Sequence, residues 1–212
     1  MRAVVSFANT PFYQEKMKRL QDSVEAQGIK FIGYTSCEEV GCKPHSEVPY
    51  QFKPYAIQKA ISEGVTTLLW CDSPIVAIKD LRPTFKHIEE HGYLFFDNIG
   101  HPLVNWCHEK AMNHFSFSKI GLEEMKVKQI MACCMGFDCL NLTTRRIFRD
   151  YLNLSDDLYP GPWETSRHDQ MVMSFLIYEY NLKILNGHET FFIYTHFRDV
   201  FKIADSVCLE SK

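Results

Sequence analysis

Short apolar blocks along the chain alternate with longer stretches in which apolar positions recur every three to four residues, the patterns of strands and of amphipathic helices. The first block, residues 3–7, closes in Ala8-Asn9-Thr10-Pro11, where a polar residue before proline predicts the start of a helix that runs to about residue 27. After Gly28 a second strand is predicted over 29–34, giving a β-α-β opening. A helix at 54–63 then leads into residues 65–71, Val-Thr-Thr-Leu-Leu-Trp-Cys, apolar enough for the centre of a sheet and ending at Asp72. Beyond it the pattern predicts a helix at 83–90, a strand at 93–96, a helix at 103–114 and a strand at 129–135 closing in Gly136-Phe137-Asp138. Helices at 144–152 and 167–180, strands near 182–185 and 191–194, and a short helical tail complete the reading.

Strands and helices alternating at these lengths predict one α/β domain over residues 1–212, with a mostly parallel central sheet flanked by helices. In such sheets ligands bind beyond the carboxyl ends of the strands. The polar residues that matter are therefore those following each strand: Ser6 to Thr10, Tyr34 to Ser36, Asp72-Ser73, Asp97-Asn98 and Asp138. Residues 35–50, rich in Gly, Pro, Ser and charge, read as a long loop beside the site.

Composition narrows the class. With 46% hydrophobic and 23% charged residues the chain reads as an ordinary folded protein. No apolar run approaches the ~18–20 residues of a membrane span, and residues 1–7 lack a secretory pattern, so a soluble, cytoplasmic protein is expected. The eight cysteines show no CxxC pair and read as free thiols. A net charge of −3 gives no general attraction to nucleic acid.

The sharpest local feature is Leu68-Leu69-Trp70-Cys71-Asp72-Ser73-Pro74, followed by Lys79-Asp80-Leu81-Arg82-Pro83. A carboxylate at the end of a buried strand can reach a divalent ion bridging two phosphates, or it can cap the next turn. In these stretches the sequence resembles the GT-A glycosyltransferases, with their apolar strand, Asp-x-Asp motif and "Lys/Gly-Asp-Leu-x-Pro" turn into a helix. Asp72 matches the first Asp, and Pro74 stands at the second. Two further stretches carry the resemblance: Tyr50-Gln51-Phe52-Lys53-Pro54-Tyr55-Ala56-Ile57, and Arg167-His168-Asp169-Gln170-Met171-Val172-Met173-Ser174.

The resemblance implies a single-domain GT-A-like, Rossmann-like sandwich. It also implies an enzyme that moves a sugar from a nucleotide-diphosphate donor, UDP-sugar favoured, to a hydroxyl acceptor whose identity stays open. Asp72 and Asp169 are the expected catalytic residues, Asp169 as base or acceptor-orienting group, with Glu164 and Asp138 in reserve. Phe7, Asn9, Thr10, Tyr34, Lys53, Asp72 and Ser73 are expected at the donor, with Phe7 and Tyr34 available for base stacking. Asp97, Asn98, Gly136, Asp138, Trp163 and His168 are expected at the sugar or acceptor. Mn²⁺ or Mg²⁺ is expected on Asp72 and His196, ahead of His188, with the missing second Asp counting against it. Two alternatives stay open: a degenerate relative that binds a nucleotide sugar or a partner without turnover, and a nucleotidyltransferase. The absence of glycine in Phe7-Ala8-Asn9-Thr10-Pro11 argues against the second.

Overall fold

A computed structural model of the chain describes residues 1–78, 80–157, 168–185, 191–192 and 202–203. Its centre is a five-stranded sheet made of β1 (Arg2–Phe7), β2 (Lys30–Tyr34), β3 (Thr67–Cys71), β5 (Tyr93–Leu94) and β8 (Cys134–Asp138), in the order β2-β1-β3-β8-β5. β1 pairs in parallel with β2 and β3, whereas β8 runs antiparallel to β3 and β5. Four of the five strands therefore share a direction, and the sheet is mostly parallel.

Period-two alternation divides the core between the two faces of this sheet. Ala3, Val5, Phe7, Leu68 and Trp70 face one apolar cluster, while Val4, Leu69 and Cys71 face the other. The first cluster is closed by α3 (Phe52–Ser62), α7 (Leu142–Asp157) and α8 (His168–Glu179), and the second by α1 (Pro11–Glu25) and α4 (Arg82–His91). The result is helix-sheet-helix layering, because strands apolar on both faces must be covered twice.

Local chemistry sets the element ends. Thr10 caps α1, its side chain accepting from the Tyr13 amide at 3.5 Å, with Pro11 at the first helical position. Met17, Leu20 and Val24 then form the buried stripe of α1. Residues 35–50 hold a one-turn helix, α2 (Cys37–Val40), capped by Ser36 and ended by Gly41 at φ 80°.

Four predicted elements take a different form, one of them the tail expected to be helical, in which residues 202–203 form a strand. The apolar run at 129–135 divides into β7 (Lys128–Ile130), which pairs with β6 (Asp97–Pro102) in a separate two-stranded sheet, and β8. The chain leaves β7 at Met131, whose amide donates to the Phe96 carbonyl at 2.8 Å, and an unbroken apolar run carries no mark of that corner. The helix expected at 103–114 becomes a 3-10 turn (Leu103–Asn105) and α5 (Glu109–His114), because His108 caps α5 by accepting from the Lys110 amide at 3.1 Å. The strand expected near 182–185 is reduced to a single bridge between Phe96 and Leu185. α6 (Lys119–Glu124), capped by Ser118, β4 (Val76–Ala77), β9 (Phe191–Phe192) and β10 (Lys202–Ile203) complete the described elements. Among the described residues no helix is long and apolar enough to cross a membrane, and the cysteines are unpaired.

Candidate functional site

The chain leaves β1 toward β2 on one side, and β3 lies on the other. Their carboxyl ends meet at the point where the strand order reverses, the place where open α/β sheets form the crevice that takes ligands. Asp72 stands there, one residue past β3. Its amide donates to the Cys133 carbonyl at 2.8 Å and its carbonyl accepts from the Ile75 amide at 3.0 Å, which fixes the backbone beneath the carboxylate.

Two other residues singled out by the sequence meet it. The Lys53 ammonium, from the first turn of α3, lies 2.6 Å from Asp169 Oδ2 and 3.1 Å from Asp72 Oδ1. It also donates to Asp72 Oδ2 at 3.3 Å and to the Ala132 carbonyl at 3.1 Å. Trp70, two residues before Asp72 and on the same face of β3, donates its indole N–H to Asp72 Oδ1 at 2.8 Å. The cluster thus holds one cation between two carboxylates, with the Trp70 and Tyr50 rings 5.9 and 5.5 Å from the ammonium.

Burial separates the members. The side chains of Lys53 and Asp169 are 3% and 4% exposed, whereas Asp72 keeps 31%. Burial alone would push the Lys53 pKa down, but the charges of Asp169 and then Asp72 outweigh it and hold it above its ordinary value. Burial pushes the Asp72 carboxyl up; Lys53 pulls it back, and the Asp169 charge adds to the rise. Tyr151, fully buried, feels the same charges and stays a phenol, its hydroxyl without a hydrogen-bond partner.

An ammonium has three protons to donate. Asp169, Asp72 and the Ala132 carbonyl take all three, so Lys53, expected at the donor, has no proton left to give it in this arrangement. Asp169 is equally enclosed, and in this arrangement it holds Lys53 rather than facing an acceptor hydroxyl. Asp72 is the member of the cluster open to solvent.

The other expected site residues divide by position. Asn9 and Thr10 are exposed at the crevice, Thr10 as the α1 cap, and Ser73 is buried beside Asp72. Phe7 and Tyr34 are buried: the Phe7 ring stacks on Phe52 at 4.5 Å, and the Tyr34 hydroxyl donates to Glu63 at 3.1 Å. Both pack under α3 and offer no free face for a base. Asp97 pairs with Lys128 at 2.9 Å, and the Asn98 amide donates to Gln129 at 2.9 Å, within the two-stranded β6–β7 sheet and apart from the cluster.

Asp138 and Gly136 are corrections. Because β8 is antiparallel, Asp138 pairs with Thr67 at the start of β3, at the opposite edge of the sheet from Asp72. Gly136 pairs with Leu69 in mid-strand, and a Cβ there would come within 2.6 Å of Ile88, so the glycine admits α4 rather than a sugar. Trp163, Glu164, His188 and His196 lie outside the described residues, as does the side chain of His168.

The structure adds residues the sequence does not single out. His45, in the 35–50 loop, packs edge-on against Tyr50 with ring centres 4.9 Å apart, and lies 6.1 Å from Phe52. Burial lowers its pKa, Asp169 raises it and Lys53 lowers it again, for a net fall that leaves a neutral imidazole at pH 7. Tyr50 adopts φ 65°, an uncommon backbone conformation for a non-glycine residue and one concentrated at functional sites. Phe12 and Tyr13 are exposed in the first turn of α1, edge to face at 5.2 Å. A histidine in the long loop beside the site and an aromatic pair after the first strand are the signals that could have found them. A recess of about 530 Å³, lined by Glu38, Gly41, Tyr55, Lys59, Leu152 and Asn153, shares no residue with the cluster.

The residues present do not suit the divalent ion that the resemblance implies. Such ions take six or more oxygen ligands in all, waters included. Both Asp72 oxygens and Asp169 Oδ2 are already engaged by Lys53. No group of three or more His, Cys, Asp or Glu gathers among the described residues. Like charges ~4 Å apart at an effective dielectric of ~20 repel by about 4 kcal/mol per unit-charge pair, and a divalent ion doubles that.

The sequence matches no protein-family model and no curated protein. Its fold is similar to that of a solved structure described as a glycosyltransferase involved in the glycosylation of the major capsid of PBCV-1. The two align with a TM-score of 0.53 over 88% of this chain and 83% of that one, at 14% identity. The likeness establishes the fold, a GT-A-like sandwich.

Proposed function

We propose that this chain is a glycosyltransferase that takes its sugar from a nucleotide-diphosphate donor bound at the crevice between β1 and β3. The observation that carries the reading is the part-exposed Asp72 carboxylate, held by Lys53 and Trp70 at the switch point of a glycosyltransferase-like fold. The open edge of Asp72 accepts hydrogen bonds from hydroxyls of the donor. Lys53 behind it cancels one of the two carboxylate charges, so that a diphosphate approaches a cluster of net charge −1 rather than −2. The first turn of α1, at the Asn9-Thr10 turn, adds the positive end of a helix dipole. As charge develops on the departing diphosphate, the positive end of the α1 dipole is fixed in place and stabilises it without reorganising. His45, neutral and at the rim of the site, is the group able to accept a proton from an acceptor hydroxyl. Phe12 and Tyr13 replace Phe7 and Tyr34 as candidates for base stacking. The described cysteines are unpaired, which supports a cytoplasmic location.

The internal engagement of Lys53 and Asp169 also favours a second reading, a protein that binds the donor without turning it over. A thermal-shift panel of UDP- and GDP-sugars followed by a donor-hydrolysis assay separates the two: binding with release of nucleoside diphosphate supports the enzyme, and binding alone supports the second reading. Asp72→Asn is expected to lower turnover by at least ~10²-fold. Unchanged turnover in that variant, or no sugar nucleotide bound at millimolar concentration, overturns the proposal.

A further inference from the structure

The Lys53 ammonium stands at the centre of the two carboxylates the resemblance would assign to metal and acceptor, at distances of 2.6 and 3.1 Å, with its third proton on a main-chain carbonyl. The position of the second motif acid is taken by Pro74, which has no ligand atom in its side chain. We infer that Lys53 is the resident cation of this site and takes the place of a divalent ion, so that donor binding and turnover require no divalent metal. The inference rests on the proposed glycosyltransferase reading for its consequence, but not for its test.

Two features make the ammonium a fixture. The ammonium is 3% exposed with its three protons taken, and the main chain beneath it is fixed where the Lys53 amide donates to the Tyr50 carbonyl at 3.1 Å. A lysine of this kind supplies one positive charge at a fixed point, independent of ion concentration. Without it, two carboxylates left facing one another form a site that calls for a cation.

The test titrates Mn²⁺ into the donor-free protein, followed by the electron paramagnetic resonance of the free ion and by thermal unfolding. Wild-type protein is expected to show no saturable binding tighter than about 1 mM and no rise in Tm with Mn²⁺. Lys53→Ala and Lys53→Met are expected to gain a Mn²⁺-dependent rise in Tm, which a further Asp169→Asn substitution abolishes. Donor affinity of the wild type is expected to be equal in EDTA and in Mn²⁺. Stoichiometric Mn²⁺ binding by the wild type that is lost in Asp72→Asn overturns the inference, as does a loss of donor affinity of ~10-fold or more in EDTA. Folded Lys53 variants that ignore Mn²⁺ overturn it also. If those variants do not fold, the wild-type titration decides alone. If no sugar nucleotide binds, the functional reading fails, while the Mn²⁺ titration still decides whether Lys53 fills the cation position.

Discussion

Among the described residues two lysines pair with a buried aspartate, and they differ in what surrounds the lysine. In the two-stranded β6–β7 sheet Asp97 is 6% exposed, but its partner Lys128 is 63% exposed. In the crevice Lys53 is 3% exposed between Asp72 and Asp169. Lys128 can trade its carboxylate for water at little cost, whereas Lys53 has no such exchange. The same two residue types therefore make a surface clasp in one region and a fixed interior charge in the other.

The contrast predicts a graded set of losses. Lys53→Met should be the most damaging substitution, destabilising the protein by about 3–5 kcal/mol in urea unfolding, because it leaves Asp169 buried without its cation and facing the Asp72 carboxylate. A loss below about 1 kcal/mol would place Lys53 in the same class as Lys128. Next in size is a pH effect at His45. Burial and the Lys53 charge hold its folded pKa below the ordinary value, against the pull of Asp169. The unfolded chain therefore takes up a proton near pH 6.5 while the folded one resists it, and stability falls as pH drops through that window. The difference in urea midpoint between wild type and His45→Gln should change between pH 7.5 and 5.5, with the wild type losing more toward acid. A constant difference would remove His45 from the electrostatics of the cluster. The smallest effect is expected at Lys128→Ala, at most ~1 kcal/mol by the same unfolding measurement.

Much of the site is legible in the sequence because its parts lie where strand and helix boundaries can be read. Asp72 ends the most apolar strand, Lys53 opens the helix before it, and Asp169 opens the last described helix. Their convergence is not legible, since nothing in three separate stretches says that one side chain will consume the free valences of the others. Strand direction is equally hidden: an apolar run reads the same in either direction, so the pattern puts Gly136 and Asp138 at the ligand edge when β8 in fact carries Asp138 away from it. Phe7 and Tyr34 fail for a different reason. An aromatic at a strand end can go under the next helix or over the crevice, and Phe52 decides for the first by stacking on Phe7.

One consequence follows from the acceptor at Ala132. This partner of the ammonium belongs to the main chain, so no exchange of the side chain at that position can delete it. A saturation scan there would report only how much bulk the fully buried position tolerates and would pass over the contact entirely. What would break it is a change in the path of the chain between β7 and β8, such as one residue inserted among 131–133. This part of the site is inherited as the course of a corner, and a comparison of letters alone would never find it.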